Sequence, residues 1–145
     1  MTEVVTVEQL PAALARLAAP PTAEQLRPLR EDLARYLLDV SRGALEAARS
    51  PAGAPFAPLA RSTRRRKRGG RPLIRTGALA ASYFARPAGA WGLDWGNEVT
   101  YFRFHQTGTR RLPARPTVEA APNVLAEIDR RTADFAAQLI ATRPL

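Results

Sequence analysis

The densest chemistry in the chain is cationic. Residues 61–75 read RSTRRRKRGGRPLIR and carry eight positive side chains, with no negative one: Arg61, Arg64, Arg65, Arg66, Lys67, Arg68, Arg71 and Arg75. A guanidinium fork suits phosphate and carboxylate. Arginine–phosphate contacts give an affinity that falls with salt and ignores base sequence. The run holds no aromatic residue, so it offers no platform on which bases could stack. Three uses fit it: a solvated loop that keeps the chain in solution, a DNA-facing loop, or a loop that orders against an acidic protein neighbour.

Groups that could carry catalysis are sparse. His105 is the one histidine and stands among aromatic residues, where the ordinary role is a hydrogen-bonded structural one. Asp94 and Glu98 are close enough in sequence to form a carboxylate pair, but their neighbourhood favours pairing with local arginines. Gly69-Gly70-Arg71-Pro72 lacks the glycine spacing and the Gly-Lys-Ser/Thr ending of a phosphate cradle. With no cysteine there is no thiolate nucleophile or ligand, and no set of ligands has metal-binding spacing. The expectation is a protein that is not an enzyme and needs no cofactor or metal.

The charge is segregated. Residues 1–50 hold six basic and seven acidic side chains, residues 51–118 thirteen and two, and residues 119–145 three and four. The whole excess of +9 therefore comes from the middle segment, which points to one cationic surface and an anionic partner. Lys67 is the only lysine among 22 basic residues. Arginine-rich codon usage explains that bias but not the clustering. No apolar run approaches the roughly 20 residues that span a bilayer. Acidic residues near the N-terminus argue against an export signal there.

The elements that must position these groups fit one domain of 145 residues. Glu3–Val7 has the composition of a short strand. Leu10, Leu14 and Leu17 mark a short helix over 7–19, ended by Pro20-Pro21. Thr22 and Gln25 form a potential capping box. After them Leu26, Leu29, Leu33, Leu37, Val40, Ala44 and Ala47 make one apolar stripe, so a long helix is expected as a spine, its first turn beside Pro28. Ser50–Pro55 ends it, with Phe56 and Leu59 as anchors. Residues 60–72 show neither period and are expected to be an exposed mobile loop. Thr76 is placed to cap a short helix through Leu79 and Ser82. Tyr83–Arg86 and Trp91–Gly96 alternate as two strands, with Trp91, Leu93 and Trp95 on one face. The two tryptophans suit the core or a subunit contact. Residues 99–106 are compatible with strand or helix. Leu112–Val118 suits an edge strand, since Pro113 and Pro116 exclude a central one. A last helix is expected from Pro122, with Leu125, Ile128, Phe135 and Leu139 inward and Thr132 in the gap.

Four blocks occur in order. The first is a long helix followed by a Pro/Gly turn, with Ser50, Pro51, Gly53, Phe56, Pro58, Leu59 and Thr63. The second is PLIRTGALAASY, with Thr76, Gly77, Leu79 and Ser82. The third is VTYFRFHQTGT, with Tyr101, His105, Gln106 and Gly108. The fourth is LPARP, with Pro113, Arg115 and Pro116. Together, over residues 26–117, they resemble the virion-morphogenesis, or tail-completion, family of tailed bacteriophages, of the Mu-like type. Two departures stand out: Phe56 where that family usually has Trp, and Thr117 where it often has Phe.

The resemblance implies an α+β fold, with a long amphipathic helix and a C-terminal helix packed on a small antiparallel sheet, and a long basic loop. It implies a structural role in the neck or upper tail of a virion assembled in the host cytoplasm. The partners it implies are copies of the same chain, a hexameric ring being favoured, and other neck and tail proteins. Passing double-stranded DNA would meet the basic loop without being read. No membrane partner is expected. The alternative is a stand-alone, sequence-nonspecific DNA-binding protein that uses the arginine-rich loop.

Overall fold

The computed structural model describes residues 3–7, 20–67 and 70–142, the first of these by backbone alone. The helix expected over 7–19, together with Arg68 and Gly69, lies outside the described residues. The elements are β1 (Glu3–Val7), α1 (Ala23–Ala47), α2 (Arg61–Arg66), α3 (Ala78–Ala81), β2 (Tyr83–Ala88), β3 (Gly92–Asn97), α4 (Phe102–Thr107) and α5 (Pro122–Thr142). The fold is α+β.

The spine is α1, 25 residues and about 37 Å long. Its capping box is made: Gln25 N–H donates to Thr22 Oγ1 at 3.3 Å, and Thr22 N–H donates to Gln25 Oε1 at 2.9 Å. The helix therefore starts at Ala23 and takes Pro28 into its interior, upstream of the expected start. Both Pro28 and Glu24 are exposed, so water can reach the Glu24 carbonyl that loses its usual donor. The buried stripe runs Leu26, Leu29, Leu33, Leu37, Ser41, Ala44 and Leu45. Val40 is half-buried and Ala47 exposed, because at 3.6 residues per turn the inward face passes to Ser41 and Leu45.

The sheet has the order β1-β3-β2, antiparallel throughout. Val5 and Ala85 both lie opposite Trp95, and Arg86 lies opposite Asp94. Leu93, Trp95 and Asn97 alternate on β3 and are fully buried. Trp91 precedes the strand in the turn and is half-buried against the core, so only Trp95 is a central core residue. The indole of Trp95 donates to Ser41 Oγ at 2.9 Å, and Ser41 in turn donates to the Thr117 carbonyl at 3.0 Å. Tyr83 adds a hydrogen bond from its hydroxyl to Thr117 Oγ1 at 2.6 Å. Burial pushes the Tyr83 phenol up to about 12, so it stays a neutral donor. These bonds satisfy polar groups that would otherwise cost free energy in the core.

Helix α5 begins at Pro122, where expected. Its inward residues are Val124, Ile128, Thr132 and Ala136, while Leu125 and Phe135 are only partly buried. The packing line advances by four residues, and the bulkier side chains flank it. Arg131 ties α5 to α1: it donates to Asp32 at 2.8 Å and to Glu127 at 2.7 Å, and it lies over the Tyr36 ring at 4.7 Å.

Candidate functional site

Residues Arg61–Arg66 form a helical turn and a half, which corrects the expectation of a loop across 60–72. Arginine favours helix, and Arg64 N–H donates to the Ala60 carbonyl at 2.9 Å. No residue of α2 is buried, so the helix had no apolar stripe to betray it. Arg61, Arg64, Arg65 and Arg66 are all exposed, and no carboxylate pairs with them among the described residues.

The other cations of the run are placed differently. Lys67 ends α2 and spends its ammonium on the carbonyls of Arg71 and Ile74, at 3.2 and 3.1 Å. Arg71 donates to the Glu46 carbonyl near the end of α1 at 3.2 Å. Arg75 is exposed. The eight expected cations thus divide into an outward group on α2, two struts, the exposed Arg75, and Arg68 outside the described residues.

The four sequence blocks meet at one cleft of about 630 Å³. Pro58 and Leu59 come from the first block, Leu73 and Thr76 from the second, Tyr101 and His105 from the third, and Pro113 and Arg115 from the fourth. Pro51 and Gly53 lie farther off, in the turn after α1, where Asn123 of α5 donates to the Pro51 carbonyl at 3.0 Å. Phe56 is buried. The N-cap of α3 is Gly77, at φ 79°, one position after the expected cap Thr76, whose Oγ1 accepts from Ala78 N–H at 3.4 Å. Leu79 is buried, and its carbonyl accepts from Asn97 at 2.8 Å.

Within residues 99–106 the strand alternative fails: a turn at 100–101 leads into α4, Phe102–Thr107. Residues 112–118, expected as an edge strand, form none. The side chain of Gln106 takes the place a neighbouring strand would have: its Oε1 accepts from Thr117 N–H at 3.2 Å and Val118 N–H at 3.4 Å, and its amide donates to the Val118 carbonyl. Pro113 and Pro116 have no N–H to offer a ladder. Gly108, at φ 76°, lets the chain turn back, and Arg115 N–H then donates to the His105 carbonyl at 2.6 Å. Pro116 is half-buried beside it.

Arg115 is buried at 4% exposure. Its guanidinium donates to the carbonyls of Ala57 and Pro58, at 2.9 and 3.1 Å. His105 stacks edge-on to Tyr101 at 5.8 Å, and its Nδ1 is buried with no hydrogen-bond partner. Burial, with Arg115 and Lys67 nearby, holds the imidazole pKa below its usual 6.5. Glu98 lies 3.9 Å from Arg86, the register partner of Asp94, so it pairs with a local arginine as its neighbourhood suggested.

What emerges is an α+β body that presents an exposed basic helix beside a cationic cleft. A family model described as the phage virion morphogenesis family matches residues 5–145. The chain belongs to that family, and so to the proteins that build phage virions. No curated protein and no solved structure matches it.

Proposed function

We propose that this chain is a structural subunit that completes the tail of a tailed phage or tail-like particle, or joins tail to head, as one member of a ring around the DNA channel. The observation that carries the reading is the outward face of α2, where Arg61, Arg64, Arg65 and Arg66 stand exposed on one short helix and pair with no carboxylate among the described residues. Arginine charge without aromatic or recognition-helix readout attracts duplex phosphates without reading their sequence. DNA that must slide through a channel needs a surface of that kind. A head-to-tail contact between copies closes into a ring when its rotation allows. The role is structural, not catalytic.

The same exposed arginines favour a second reading, a stand-alone DNA-binding protein. The variant R61S/R64S/R65S/R66S separates the two, and Lys67 is left intact because it holds the local backbone. Under the first reading the variant still forms oligomers or caps tails, while its residual DNA affinity and salt slope fall. Tight duplex binding by an isolated wild-type monomer, abolished in the variant, together with no association with tails, would establish the second.

A further inference from the structure

The cleft beside α2 has a chemistry of its own. Lys67, Arg75, Arg111, Arg115 and His105 line it, and no aspartate or glutamate does among the described residues. Lys67 and Arg115 are committed to backbone carbonyls. Arg75 and Arg111 are exposed and make no ion pair among the described residues. The walls between these charges are apolar, built from Leu59, Leu73, Leu112 and the ring of Tyr101, which is 45% exposed. His105 contributes a buried Nδ1 with no partner.

We propose that this cleft is a docking site for an acidic, partly apolar segment of another protein of the particle, with its carboxylates on Arg75 and Arg111 and its apolar side chains against Leu59, Leu73 and Tyr101. The inference rests on reading the chain as an assembly subunit. Charge complementarity selects the occupant: a concave, wholly cationic site with apolar walls matches alternating acidic and apolar side chains. A DNA duplex is a convex rod that meets the outward face of α2, and it offers nothing apolar to the cleft walls. Bidentate arginine–carboxylate pairs in a partly desolvated cleft are stronger than the same pairs in open water. A carboxylate arriving near His105 also favours the protonated imidazole.

The probe is a short fluorescein-labelled peptide alternating Glu with Leu and Phe, titrated by anisotropy into the full chain. The expected result is saturable binding that weakens at least about tenfold in R75E/R111E, and as much when Gln replaces Glu in the peptide. The triple variant R64S/R65S/R66S should bind within about twofold of wild type. Arg75 and Arg111 are exposed, so their reversal is tolerated by the fold, and circular dichroism checks this. His105, as the only histidine, gives a single imidazole signal that should shift on adding peptide, with its pKa rising in the complex. Four results would each overturn the proposal: no binding, equal binding of the Gln peptide, loss in the α2 variant equal to that in R75E/R111E, or displacement of the peptide by duplex DNA from the α2 variant. The outcome is independent of ring formation: an oligomer that binds no peptide removes this inference alone, and a monomer that binds it but does not associate with tails removes the ring alone.

Discussion

Arg115 reaches back 57 residues to donate a hydrogen bond to the Pro58 carbonyl at 3.1 Å. The most deeply placed cation of the basic half is thereby spent on the protein's own backbone, pinning the segment after α4 to the segment before α2. Replacing it by alanine leaves the Ala57 and Pro58 carbonyls without their donor. Arg115→Ala should lose about 2–3 kcal/mol of stability, read as a lower denaturant midpoint. Arg115→Lys should recover only part, since one ammonium cannot reproduce the two-pronged fork. An unchanged midpoint in both would refute the pinning role.

Gly108 has no room for a side chain. A Cβ there would meet Ala114 N at 2.8 Å and Leu112 O at 3.0 Å, on a backbone already at φ 76°. Gly108→Ala should cost about 1–3 kcal/mol and loosen residues 109–116. Faster amide hydrogen exchange at Arg115 and Thr117 is the expected signature, with exchange in α1 little changed.

Ser41 is the one polar residue on the buried stripe of α1, and it serves Trp95 and Thr117 at once. Ser41→Ala strands the indole N–H and should destabilise by about 1–3 kcal/mol. Ser41→Thr keeps the hydroxyl and tests whether its geometry, not merely its presence, matters. Thermal melts followed by Trp fluorescence would report both.

Acid should weaken the fold in two windows. Folded His105 has a pKa below 6.5, so the unfolded chain takes up its proton first as pH falls. Stability is flat above that value for this group, declines below it, and levels off under the folded pKa. Glu127 is drawn from 4.5 down to about 2 by hydrogen bonds from Arg130 and Arg131. Its contribution is present above 4.5 and is lost as pH falls towards 2. In His105→Gln the upper decline should vanish and the lower remain, as denaturant titrations at stepped pH would show.

The elements legible in the sequence were those written in apolar spacing or cap chemistry. Thr22, Gln25 and the leucines of α1 are sufficient for that helix, and Pro122 marks the start of α5. The inward face of α5 was harder to read, because Val124 and Ala136 are small and the larger Leu125 and Phe135 sit beside the packing line. Helix α2 left no periodic trace, since none of its residues is buried. The segment 112–118 has the composition of an edge strand, yet the N–H groups of Thr117 and Val118 go to one glutamine side chain from α4, a choice that no local pattern records. The motif residues were legible as a set, but not that those from the four blocks converge on one cleft, nor that Lys67 and Arg115 face inward to backbone carbonyls while the arginines of α2 face out.

The central claim is assembly around DNA, and the most direct measurement is the solution mass by light scattering after size exclusion, at low and moderate salt, with and without purified tails. The account predicts a discrete oligomer near six times 15.8 kDa, or a subunit that forms such a ring on tail ends, at both salts. A protein that stays monomeric at both salts and does not associate with tails would contradict it.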